Sequence, residues 1–305
     1  MYANPVGNTK LAGVDHLFLV GIGGFAASLV DGALGMGFGP TSSSILLSTG
    51  LQPAAVSSTV NLVKVATGLA AGISHWRFGN TDHKLLLQLA IPGAIGAFIG
   101  VTILSNVDGN ALRPYLAALL FCVGIRILIR FSRPLPIVTP TREDDDFTPD
   151  HDRIPEFDRR GVKLAATAGG ITNGMIGTWG PIVTPFLLHK GLPPRYAIGS
   201  VNTAEVVVAT ASVGTLIATA GKGGLDGAVI LAMLAGGVIA SPIAALAIRY
   251  VPARAMGVAV AGLLLLTNAT ELIPKLGLSS HGWFVYIAIV AVVAVAGMAP
   301  RWVMA

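Results

Sequence analysis

The chain has 305 residues, 53% of them hydrophobic and 11% charged, with a net charge of +5 and a mean hydropathy of +0.73. A water-soluble domain carries about 25% charged residues, so there is too little polar material here to cover a globule. No basic stripe interleaved with aromatics runs along the chain, which excludes a nucleic-acid surface.

Apolar stretches near the length of a bilayer span recur from end to end. In chain order the first set is predicted at 14–30, 40–49, 53–74, 84–104 and 113–130. The second set is predicted at 162–176, 181–189, 196–220, 225–248 and 254–272, with a last span at 283–298. Residue 17 onward reads as a retained span, because no small-residue cleavage site precedes it. No long series of alternating strands appears, so an outer-membrane barrel is not expected. The fold class is an all-α polytopic membrane protein with about 10–11 membrane segments.

Between the sets lies "RPLPIVTPTREDDDFTPDHDRIPEFDRR", a proline-rich charged linker that no bilayer would accept. The expected organisation is a first transmembrane repeat at 1–130, the linker at 131–161, a second repeat at 162–275 and an extra helix at 276–305. The single cysteine, Cys122, lies in an apolar run and allows no intrachain disulfide.

The two sets repeat each other. A shift of 141 positions places Pro40 on Pro181, Gly50 on Gly191, Leu51 on Leu192, Pro53 on Pro194, Asn61 on Asn202 and Lys64 on Glu205. A one-residue gap brings Gly32 and Gly35 onto Gly174 and Gly177. Lysine and arginine placement puts the Arg-flanked linker on the cytoplasmic side, together with Arg77, Lys84, Lys190, Arg195, Arg249, Arg254 and Arg301. Five crossings per repeat is an odd number, so the repeats are expected to have inverted topology.

Lys64 sits at the midpoint of the 22-residue span at 53–74, which is about 33 Å long as a helix. A charge at that depth costs roughly 2.5–3.5 kcal/mol even on a lenient scale, so it is rarely idle. Ser57, Asn61 and Lys64 share one helix face, and Asn202 and Glu205 keep the same spacing in the partner helix. Each repeat thus presents an amide and a charge, of opposite sign in the two halves. A buried ion pair that merely fixes packing is the plainer use. The sharper expectation is one central cavity in which Lys64 attracts an anion, Glu205 couples a proton, and Asn61 and Asn202 donate hydrogen bonds.

"DGALGMGFGPTSSS" and "NGMIGTWGPIVTP" occupy equivalent positions and carry too many glycines for continuous helix, at about 1 kcal/mol each relative to alanine. Irregular backbone at membrane depth is tolerated where protein or a water-filled cavity surrounds it. Short helices are expected to start at Pro40 and Pro181, with free amides and the positive dipole end available to an anion. Gly39, Thr41, Ser42 and Ser43 would line one side of such a site, and Thr178, Trp179, Gly180 and Thr184 the other. Close packing of small residues is the bland alternative. Asp31 and Asn173 precede the glycine segments as caps or coordinating groups, with Asp31 a second candidate for coupling. "HWRFGNTDHK" supplies His75, Trp76 and Arg77 as interface anchors or an anion-guiding vestibule.

No phosphate-binding "GK[ST]" ending is present, and the histidines lie near predicted interfaces or in the linker. Neither a cofactor, a metal centre nor an intramembrane enzyme is therefore expected. The expected partners are a small anionic substrate, a coupling proton and the lipid bilayer, with a homo-oligomer left open.

The glycine segments, the turns "STGLQP" and "HKGLPP" and the loop "HWRFGNTDHK" resemble the sulfite exporter TauE/SafE family, within the toluene sulfonate uptake permease group. The resemblance covers nearly the whole chain apart from the acidic linker and the last span. It implies a carrier of the bacterial inner membrane for small sulfur-containing oxyanions or organosulfonates such as sulfite or sulfoacetate, often moved outward. Lys64 opposite Glu205 is not a feature the resemblance supplies.

Overall fold

The computed structural model describes residues 14–34, 36–77, 81–132, 156–220, 226–247 and 253–298. Among them the regular structure is helical: α1 (Val14–Leu34), α2 (Phe38–Ser48), α3 (Pro53–Arg77), α4 (His83–Asn106), α5 (Gly109–Ser132), α6 (Val162–Ile176), α7 (Gly180–His189), α8 (Pro194–Ala220), α9 (Gly227–Ala247), α10 (Ala253–Lys275) and α11 (Gly282–Met298). Helices α4, α5, α8 and α10 are long and apolar enough to cross a bilayer, and α1, α9 and α11 contain shorter apolar stretches. The outer faces are apolar, as at Ile91, Ile95 and Phe98 of α4 and Leu231, Val238 and Ile239 of α9. Asn61, Lys64 and Asn173 are buried inside. Apolar outside and polar within is the arrangement lipid demands.

Helix α1 pairs with α9, α4 with α6, α3 with α8 and α5 with α10. In the 141-residue correspondence α1 matches α6 and α4 matches α9, so the first two pairs are one contact with the halves exchanged. Both are close backbone approaches. A Cβ on Gly96 would lie 2.2 Å from the Thr167 carbonyl oxygen, and one on Gly236 would lie 2.0 Å from that of Gly21. Small residues let helices in lipid approach this closely, where packing rather than water exclusion holds them together.

The two turns after the short helices are also alike. Gly50 and Gly191 both adopt φ +89°, and their amides donate to Leu47 O (3.0 Å) and Leu188 O (3.1 Å). A left-handed residue after a helix is the usual task of glycine, and it ends α2 and α7 in the same way. The short helices begin slightly earlier than the prolines imply, at Phe38 and Gly180. Proline fits the first turn of a helix because its missing N–H has no partner there anyway.

The linker is described only at its end, where Asp158 pairs with Lys190 (2.6 Å) and Arg159 with the buried Asp82 (2.6 Å). The lysine beside Asp158 holds its carboxyl below the usual carboxylate range, helped by the amide of Arg160.

Candidate functional site

The two chain breaks meet at the centre. Helix α6 ends at Gly177, which takes a left-handed φ of +69°, and the start of α2 lies against it. A Cβ on Gly39 would be 2.0 Å from Gly177 O. Only a residue without a side chain lets those two backbones cross.

A helix end leaves carbonyls without intrahelical partners, and the hydrocarbon of a bilayer offers none. Side chains of the first half serve this end, where the Gly177 amide already donates to Asn173 O (2.7 Å). Ser57 Oγ donates to Gly174 O (2.7 Å), Asn61 Nδ2 to Asn173 O (3.1 Å), Ser43 Oγ to Ile176 O (2.5 Å) and Lys64 Nζ to Gly177 O (2.8 Å). Lys64 therefore places its charge at the negative end of α6, where a cation is favoured. Its ammonium also donates to Asn173 Oδ1 (2.9 Å) and pairs with Glu205. An ammonium has three protons, and these three acceptors account for them. Asn173 completes the cluster by donating to Asn61 Oδ1 (2.7 Å) and Ser212 Oγ (3.1 Å).

The other break is closed differently. Asp31, near the end of α1, turns forward, and its Oδ1 accepts from the amides of Gly37 (2.9 Å) and Phe38 (3.1 Å). The carboxylate thereby caps the positive end of α2. Trp179 at the start of α7 provides no comparable side-chain cap; its indole donates instead to Val201 O (3.2 Å).

Between these ends lies a small pocket lined by Asp31, Met36, Phe38, Gly39, Pro40, Lys64, Trp179, Gly180, Pro181, Asn202 and Glu205. It is narrow, with a cavity volume of about 10 Å³, and it is partly open to the outside. The Lys64 side chain is 5% exposed, whereas that of Glu205 keeps 21% of its surface. The pair is thus reached from the carboxylate side.

Seven of the residues expected at a site line this pocket: Asp31, Gly39, Lys64, Trp179, Gly180, Asn202 and Glu205. Asn61 lies behind it, in the network with Asn173. Ser42 Oγ turns back to Phe38 O and Gly39 O of its own helix, Ser43 serves α6, and Thr41, Thr178 and Thr184 are fully buried away from the lining. The two serine hydroxyls thus satisfy nearby carbonyls and do not reach the cavity. Helix α3 runs through Arg77, which is exposed, so this part of the vestibule segment is helical. The side chains of His75 and Trp76 lie outside the described residues.

Some structural partners were not foreseen. Ser212 completes the Asn173 cluster, and Asn268 Nδ2 donates to Ser44 Oγ (2.8 Å), tying α10 to α2. A lone amide inside "LLLLTNATEL" was the available signal for the second. Asp82, within the quoted loop, caps α4 through Leu85 N (3.0 Å) while binding Arg159.

A profile of the sulfite exporter TauE/SafE family matches residues 20–270, which include both broken-helix halves. The chain is also 38% identical over 251 residues to a Bacillus subtilis (strain 168) protein described as "Probable membrane transporter protein YtnM", a match covering 82% of this chain and 80% of that one. No solved structure matches it. With its helical membrane fold and paired half-helices, the chain belongs to the sulfite exporter TauE/SafE family.

Proposed function

We propose that this membrane transporter is a secondary carrier of small sulfur-containing oxyanions or organosulfonates, sulfite and sulfoacetate among them, working outward by alternating access. One observation carries the reading: the starts of both half-helices open onto the same pocket as Lys64 and Glu205. Helix N-termini and an ammonium are the groups that stabilise an oxyanion in a dry site, and a carboxylate in contact with that ammonium can exchange a proton as the site changes sides. Glu205, with Asp31 as the second candidate, is assigned the coupling role. Asn202 is assigned hydrogen bonding to the substrate.

The exchanged pairing of α1–α9 and α4–α6 supports two halves related by a two-fold axis. With five crossings each, that axis lies in the membrane plane and the repeats are inverted. The linker then faces the cytoplasm from the inner membrane, in keeping with its arginines.

A second reading is favoured by the charge count: the pocket lining holds two carboxylates and one lysine. A cation permease would use that excess, and an anion channel in the same fold would need no coupling. Reconstituted liposomes decide between them. Under an imposed pH gradient a proton-coupled carrier concentrates sulfite or methanesulfonate, a channel only equilibrates it, and a cation permease moves neither. Failure to move any oxyanion, under the pH gradient or down its own concentration gradient, would refute the carrier.

A further inference from the structure

Resting on the anion-carrier reading, we propose that Asp31 is a tethered competitor of the transported anion. Its carboxylate holds the seat at the start of α2, and an anion is admitted there only when Asp31 gives that seat up on taking a proton.

The positive end of a helix attracts anions, and here one built into the chain already occupies it, through the amides of Gly37 and Phe38. Phe38 and Gly39 of the same end line the pocket, as does Asp31 itself. Among the described residues the second half has no such device. Asn173, which aligns with Asp31, turns instead to Lys64, Asn61 and Ser212. The one cation among the lining residues is likewise committed, since Lys64 is shared by Asn173, Gly177 and Glu205. An incoming anion must therefore displace a carboxylate.

The two carboxylates are not equivalent candidates. Glu205 is held by an ion pair, so releasing it separates opposite charges. Asp31 is held by neutral amides, so a proton can neutralise it without breaking a salt bridge. Charge counting points the same way: with both carboxylates ionised the lining carries one net negative charge beside Lys64, and one proton cancels it before a monoanion enters. The groups facing Asp31 are Lys64 of α3 and Glu205 of α8. Helices α2 and α9, packed against α1, contain no acidic or basic residue. On α10, which also packs against α1, Arg254 is engaged with Ala296 O and Glu271 with Arg113, while Lys275 is the helix's last residue.

Asp31→Asn separates charge from capping, because its amide oxygen still accepts from the same backbone groups. Binding of methanesulfonate, which keeps one negative charge throughout, is measured on the purified full-length protein from pH 5.5 to 8.5. Wild type should lose affinity by up to about tenfold per pH unit in the range where Asp31 ionises. Asp31→Asn should vary less than about twofold over the whole range and bind about tenfold or more tightly than wild type at the alkaline end. If Asp31→Asn does not fold, Asp31→Ser, another neutral capping residue, is read in the same way. A variant that keeps the wild-type pH profile would reduce Asp31 to a structural cap and overturn the proposal, while leaving the carrier intact. If neither protein binds methanesulfonate or sulfite at any pH, the carrier reading and the competitor fall together.

Discussion

The two halves share a frame but divide the polar work unequally. Gly50 and Gly191 make the same turn, and both short helices carry proline in their first turn. Arg113 and Arg254 also correspond under the 141-residue shift, yet Arg113 binds Leu47 O at the end of α2, whereas Arg254 binds Ala296 O of α11. Around the breaks the difference is larger. The first half contributes Ser43, Ser57, Asn61 and Lys64, which cap the end of α6 in the second half. The matching positions of the second half are Thr184, Ile198, Asn202 and Glu205. The first half thus closes the broken helix of the second, and the second half supplies the more exposed carboxylate of the pocket. A symmetric scaffold does not require a symmetric site.

The comparison can be broken most severely at Lys64. Lys64→Met removes the cap of Gly177 and leaves Glu205 without its partner. Breaking a buried pair on one side costs about 3–5 kcal/mol, so thermal unfolding in detergent should shift far down and liposome flux should vanish. Lys64→Met combined with Glu205→Gln should recover much of the stability and none of the flux. A double variant no more stable than the single one would show that capping, and not the ion pair, dominates.

Next comes the crossing of the breaks. Gly39→Ala places a methyl against the Gly177 carbonyl, where backbone rather than a movable side chain must yield. Overpacking of this kind costs about 1–3 kcal/mol, with flux lost more steeply than stability because the pocket itself is displaced. Gly191→Ala sharpens the contrast. Nothing lies within 4 Å of its added Cβ, so only the left-handed backbone is penalised, by about 1 kcal/mol. Unfolding measured side by side should rank Gly39→Ala as the more damaging.

Asn268→Leu, which severs α10 from Ser44, should cost about 1 kcal/mol and leave the substrate dependence of flux unchanged. The smallest effect is at the linker. Asp158 has a lowered folded-state pKa, so its contribution is present above the unfolded value near pH 4 and fades as pH falls through the folded one. Asp158→Asn should therefore lower stability slightly and equally at pH 5 and pH 7 but hardly at all below the folded value, narrowing the gap between pH 5 and pH 3, read by thermal unfolding. An unchanged acid profile would remove the Lys190 pair from the account.

The amino-acid sequence determined by itself the membrane class, the 141-residue correspondence of glycines, prolines and polar residues, the two helix breaks and the opposed charges at positions 64 and 205. All of these rest on local composition and on spacing along one helix, which periodicity and the cost of a charge in lipid make legible. It also marked Asp31 and Asn173 as residues at the breaks. What each of them binds was decided by the tertiary structure alone. Lys64 serves the end of α6 as well as Glu205, Asp31 takes the amides of α2, and Ser42 and Ser43 turn to carbonyls and away from the pocket. A hydrogen bond between elements depends on the direction in which each group points once the helices are packed. Nothing in the spacing within either helix carries that information.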